Sequence, residues 1–215
     1  MHVLELRARP DRHAPLAVVM LPAAYTVAED FVHAGFDAAV RARGLAIDLT
    51  FASLDFAHVT DRSVVERVRT QLLAPALARG AAVWLGGISL GGYVALCCAA
   101  RASAELAGLC LFAPYLGSYL VTSEVARAGL AHWPLAEPAP EDDERGVWQF
   151  LKERRARGVP LHLGLGREDR FAERHRLLAE ALDPAEVDTV PGGHDWPTWR
   201  RLWDNFLDAR IATQR

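Results

Sequence analysis

Residues 81–101, AAVWLGGISLGGYVALCCAAR, carry three features in a fixed order. The apolar run Ala81–Leu85 reads as a short buried strand. The turn Gly86-Gly87-Ile88-Ser89-Leu90-Gly91-Gly92 follows directly. From Leu90 to Arg101 the chain reads as a helix that is apolar nearly all round, which predicts a central, buried position. Gly87-x-Ser89-x-Gly91 between a strand and a helix is the pattern of a nucleophile elbow. A tight turn holds the serine in a strained backbone conformation, and glycine at the flanking positions avoids clashes with the adjoining strand and helix. The hydroxyl then stands at a helix N-terminus, where backbone N–H groups meet developing negative charge. Other glycine-rich chemistry does not fit: a P-loop needs Lys and Ser/Thr where Gly92 and Tyr93 stand, and G-x-G-x-x-G is not matched.

Outward from this unit, apolar and amphipathic runs take turns. Leu16–Leu21, Leu45–Phe51, Leu106–Phe112, Pro160–Leu165 and Ala185–Val190 read as strands. Ala28–Arg43, Asp61–Arg79, Ala172–Leu182 and a closing run from Pro197 to Ala209 read as helices. Such alternation predicts βαβ units: a single α/β domain over residues 1–215 with a mainly parallel sheet and helices on both faces. One stretch, 114–146, breaks the rhythm with Gly117, Gly129, Pro134, Pro138 and Pro140, then the acidic run Glu141–Glu144. It is read either as a solvated excursion or as a short cap over a site at the strand ends.

Composition narrows the function. The chain has 215 residues, 51% hydrophobic, with 24 basic against 27 acidic side chains and a net charge of −3. That balance is a poor footprint for nucleic acid, which is held by concentrated basic surface. No window approaches the roughly 18 apolar residues of a membrane span. The opening residues are charged and lack the apolar core of a secretory signal, so the expected compartment is the cytoplasm. Cys97, Cys98 and Cys110 are an odd count in apolar runs, expected as buried thiols rather than bridges or ligands. The histidines form no HExxH or comparable pair, so no metal is expected.

A nucleophilic serine needs a base, and the base needs an orienting acid. In PLHLGLGREDRF, Asp169 lies just past an apolar strand, with Glu168 competing for the same role. In VDTVPGGHDWPTW, His194 lies just past the last strand. Both therefore fall at carboxyl ends of parallel strands, where open α/β sheets bind their ligands. Asp195 reads as a helix cap, and Trp196, Trp199 and Trp203 read as core.

On these residues nearly the whole chain resembles the α/β-hydrolase superfamily, most of all its small serine esterases with minimal caps. The resemblance implies that Ser89 is nucleophile, His194 base and Asp169 acid, without a cofactor. In that superfamily the turn after the first central strand usually reads His-Gly-x and donates an oxyanion-hole N–H. Here it reads Leu21-Pro22-Ala23-Ala24-Tyr25, so the role passes to Ala24, with Ala23 and Tyr25 as alternatives, paired with the N–H of Leu90. Tyr25, Tyr115 and Tyr119 are expected to line the pocket.

The expected activity is hydrolysis of a small carboxylic ester or thioester through an acyl-enzyme. The alternatives are an acyltransferase or thioesterase with the same triad, or a non-catalytic binding protein on this fold. The breaker-rich 114–146 segment shows no sustained apolar face, which predicts a shallow site for short acyl chains. Its acidic run predicts that anionic substrates are disfavoured.

Overall fold

A computed structural model describes residues 1–102, 105–134 and 142–212. Pro138, Pro140 and Glu141 of the anticipated cap lie outside the described residues. Seven strands form one sheet: β1 (Val3–Leu6), β2 (Leu16–Leu21), β3 (Ile47–Ala52), β4 (Ala82–Ile88), β5 (Gly108–Phe112), β6 (Leu161–Gly166) and β7 (Val187–Val190). Their order is β1-β3-β2-β4-β5-β6-β7. Every pairing is parallel except β1 with β3.

The helices are α1 (Ala28–His33), α2 (Phe36–Ala42), α3 (Phe56–Thr60), α4 (Val64–Val68), α5 (Ala74–Ala78), α6 (Leu90–Ala102), α7 (Tyr119–Ala128), α8 (Asp143–Glu153), α9 (Ala172–Ala179) and α10 (Trp196–Phe206).

The central strands are apolar on both faces because both faces are covered, as parallel sheets require. In β4, Val83 and Leu85 point into one core, shared with α4–α9; Trp84 and Ile88 point into the other, shared with α1, α2 and α10. The same alternation runs through β5, with Leu109 and Leu111 on one side and Cys110 and Phe112 on the other. Trp203 of α10 is fully buried, stacks on Phe36 at 5.1 Å and donates from Nε1 to the Phe36 carbonyl at 2.9 Å. Losing such a tryptophan typically costs about 3–5 kcal/mol. The three cysteines are free and buried, and burial pushes the Cys97 thiol up to about 12.

Four departures from the sequence reading have physical causes. The expected helix 28–43 is two helices, because Gly35 sits at φ +80°, a left-handed conformation that ends α1. The expected helix 61–79 begins at Val64 and widens into a π turn over Arg69–Leu73 just before Pro75. Proline cannot donate to the preceding turn, and a π turn absorbs that mismatch. The strand β1 was missed because four residues at an edge, VLEL, carry too little pattern to stand out. Within 114–146, Tyr119–Ala128 is an amphipathic helix that buries Val121 and Val125, so the segment does have an apolar face. α8 belongs to the body of the domain: it packs on α6, buries Trp148 and donates from Trp148 Nε1 to the Leu116 carbonyl at 3.0 Å.

One buried group makes stability depend on pH. His162 on β6 lies between Phe112 and Phe206, with Nε2 buried and unpartnered. Burial, helped by Arg210, pulls its imidazole down to about 4. Unfolded, it titrates near 6.5. Below that pH the unfolded chain takes up a proton that the native chain refuses, so stability falls between pH ~6.5 and ~4, by up to about 3 kcal/mol. Urea midpoints at pH 7 and 4.5 should therefore separate in the wild type, and His162→Leu should narrow the gap. An unchanged gap in the variant would assign the acid sensitivity to other groups.

Candidate active site

The turn after β4 is built as its residue types require. Ser89 has φ +50°, a left-handed conformation that costs a non-glycine residue about 1–3 kcal/mol. Three backbone hydrogen bonds hold it there. Its N–H donates to the Phe112 carbonyl at 3.0 Å, and its own carbonyl accepts from Tyr93 at 3.1 Å and Tyr115 at 2.9 Å. With the backbone pinned by β5 and α6, the side chain is left for chemistry. A β-carbon at Gly87 would overlap the backbone of Gly91, and one at Gly91 would overlap the Leu21 and Pro22 carbonyls. Close approach is thus the reason for both glycines.

The same approach brings the turn after β2 to the elbow. The Gly91 N–H donates to the Pro22 carbonyl at 3.0 Å, which sets Ala23 and Ala24 beside the start of α6. Leu90 is the first residue of α6, where a helix leaves its N–H groups without intrahelical partners. Tyr25 sits at φ +63° and is 96% exposed.

Asp169 and His194 meet although 25 residues separate them, because β6 and β7 are neighbours and both end at this edge. The His194 Nδ1 lies 2.7 Å from Asp169 Oδ2, and the Phe171 N–H donates to Asp169 Oδ1 at 2.8 Å. Burial alone would raise the Asp169 carboxyl. The bonds from His194 and Phe171 outweigh it and hold the group below the usual carboxylate range. Glu168, its competitor, points elsewhere and accepts from the Gly192 N–H. Asp195 caps α10 by accepting from the Thr198 N–H at 2.9 Å. The imidazole of His194 is fixed by edge-to-face contacts with Phe171 at 5.2 Å and Trp199 at 5.1 Å.

A small cavity of about 70 Å³ opens at Ser89. Ala113, Pro114, Tyr115 and Leu116 after β5 form one side; Phe171, Arg174 and His175 after β6 form the other. Phe171 touches both the cavity and His194, so Ser89 and the imidazole share a wall. No hydrogen bond joins the Ser89 hydroxyl to the imidazole among the described residues; in unliganded sites such bonds commonly tighten only with substrate. Of the three tyrosines expected around the pocket, Tyr115 lines this cavity. Tyr25 and Tyr119 do not: both are exposed on the surface, Tyr119 by 76%.

Sequence reading missed Phe171, Arg174 and His175. One signal was available: they follow Asp169 within six residues, on the entry to the helix after the strand that carries it to the site. His175 is 2% exposed, and burial holds its imidazole below the ordinary range. Its Nδ1 is buried without a hydrogen-bond partner among the described residues.

Within the acidic run, Asp142 and Asp143 are paired with arginines. Asp143 is bridged by Arg62 at 2.7 Å and Arg101 at 2.8 Å, and Asp142 by Arg145 at 2.6 Å. Glu144 accepts from the Ser118 N–H at 2.9 Å and hydroxyl at 2.6 Å, and from the Tyr115 hydroxyl at 3.3 Å. A wider hollow of about 480 Å³ beside β1, α2 and β3 contains no serine, cysteine or histidine in its lining. Among the described residues no three His, Cys, Asp or Glu side chains group as metal ligands, and no helix is long and apolar enough to cross a membrane.

No protein-family model and no curated protein matches the sequence. Solved structures do match the fold. A carboxylesterase structure from the thaumarchaeon Nitrososphaera gargenis superposes with TM-score 0.64 at 12% identity, covering 99% of this chain and 95% of that one. Est1E from Butyrivibrio proteoclasticus gives 0.63 at 14% identity, over 98% and 94% of the two chains. An S-formylglutathione hydrolase from Staphylococcus aureus gives 0.61 at 11% identity, over 93% and 83%.

Proposed function

We propose that this chain, an α/β-hydrolase by fold, is a serine hydrolase of small carboxylic esters with Ser89, His194 and Asp169 as its triad. The observation that carries the reading is the Asp169–His194 pair, placed at the same sheet edge as a strained elbow serine whose hydroxyl opens into a cavity. The esterases and hydrolases that share the fold support it.

In the reaction, Ser89 Oγ attacks the acyl carbon while His194 Nε2 takes the hydroxyl proton. Asp169, ionised and bonded to Nδ1, orients the imidazole and stabilises its cation. The carbonyl oxygen becomes an oxyanion, for which the Leu90 and Ala24 N–H groups are the donors. Collapse expels the alkoxide, which takes the proton from His194 and leaves an acyl-Ser89 ester. Water then adds to that ester, gives its proton to His194 and releases the acid, and the proton returns to Ser89. The cavity's size suits short acyl groups, since each further buried CH₂ needs matching apolar wall.

The test is a fluorophosphonate followed by peptide mapping. One adduct is expected, on the peptide bearing Ser89, together with hydrolysis of p-nitrophenyl acetate. An adduct elsewhere, or none on folded protein, would overturn the triad and favour a binding role. Faster turnover of the acyl-enzyme by an added alcohol or thiol than by water would instead mark an acyltransferase.

A further inference from the structure

Arg174 gives the Ser89 cavity a chemical preference. Its side chain lines the cavity opposite the loop after β5 and is half-buried. Its side chain forms no hydrogen bond or ion pair among the described residues, while Asp169, Glu168 and Glu144 each have partners of their own. Asp169 is bonded to His194 and the Phe171 N–H, Glu168 to the Gly192 N–H, and Glu144 to Ser118 and Tyr115. The preceding arginine, Arg170, has its guanidinium 4.8 Å over the Phe171 ring. A guanidinium partly withdrawn from water beside apolar walls is unfavourable without a counter-charge. Its planar fork of donors matches a carboxylate in a two-bond geometry that a hydroxyl or amide does not fill.

We infer that the site selects esters carrying a carboxylate a few bonds from the scissile carbonyl, and that Arg174 is the residue that determines this. The inference rests on the hydrolase reading and names its substrate class. A cavity of about 70 Å³ takes a short unit whose anion meets Arg174 in the lining. This reverses the preference read from the acidic run, in which Asp143 is paired with Arg62 and Arg101 and Asp142 with Arg145. Hydrolysis proceeds by the same bonds as above: Arg174 binds the anion and takes no part in proton transfer.

The experiment compares esters matched in size and differing in charge. On the acyl side, monoethyl succinate is set against ethyl pentanoate; on the alcohol side, acetoxyacetate is set against propyl acetate. In at least one pair the anionic member should lead in kcat/KM by about tenfold or more. Arg174→Gln should lower that ratio by about 10- to 100-fold, chiefly through KM, as for loss of a charged hydrogen-bonded contact. Arg174→Lys should keep part of it. Which pair responds tells whether the anion rides on the acid or the alcohol part. A wild-type ratio of one or less in both pairs, or a ratio that Arg174→Gln leaves unmoved, would overturn the proposal. Succinate binding measured by calorimetry needs no turnover and separates the two readings. If no ester is hydrolysed but succinate binds and Arg174→Gln abolishes binding, the hydrolase reading fails and the anion site stands. Equal binding by wild type and variant removes the anion site whatever the activity.

Discussion

Ser89→Ala and His194→Ala are each expected to lower kcat/KM for a short acyl ester by about 10⁴- to 10⁶-fold, and the double variant to be little worse than either. The reason is that the two side chains act as one unit. Without the hydroxyl there is nothing for the imidazole to deprotonate, and without the imidazole the hydroxyl is a poor nucleophile at neutral pH. Residual rate should come from binding and oxyanion donors alone. Ser89→Ala should fold, because the Ser89 backbone bonds to Phe112, Tyr93 and Tyr115 do not use its side chain. The check is ester hydrolysis by all three variants with thermal melts in parallel. Multiplicative losses in the double variant, or a His194→Ala enzyme within tenfold of wild type, would remove His194 as the base.

Asp169→Asn should cost about 10⁴-fold in kcat, because an amide facing Nδ1 stabilises the tautomer that cannot accept the serine proton at Nε2. Asparagine keeps an oxygen able to accept from the Phe171 N–H, so the turn should persist. Glu168→Gln is the paired control. Its carboxylate accepts from the Gly192 N–H, a bond that a glutamine oxygen can take over, so a loss of about tenfold or less is expected. Steady-state kinetics on both variants decide between the neighbours. A near-normal Asp169→Asn with an inactive Glu168→Gln would transfer the acid role to Glu168.

The sequence by itself determined what local pattern can carry. The alternation of strands and helices, the elbow with its two obligatory glycines, and the chain positions of Asp169 and His194 at strand ends all follow from periodicity and spacing. Most depend on residues near in the chain: Gly87 clears the backbone of Gly91, and an apolar helix such as α6 must be central, while Gly91 answers to the turn after β2. Sequence preferred Asp169 but left Glu168 as a competitor, since adjacent side chains in a turn point apart by angles that only backbone geometry sets. Nor could it find the cavity. Leu116 and Arg174 are distant in the chain and become opposite walls only because β5 and β6 pair in parallel and end together. The sign of charge around the site was decided the same way. Asp143 reads in sequence as part of an acidic run, but the fold brings Arg62 from 81 residues away and Arg101 from 42 to neutralise it. Arg174, unremarkable in the sequence, lines the Ser89 cavity with no side-chain hydrogen bond or ion pair among the described residues. Pairing of charges over such distances is a property of packing, which only the tertiary structure fixes.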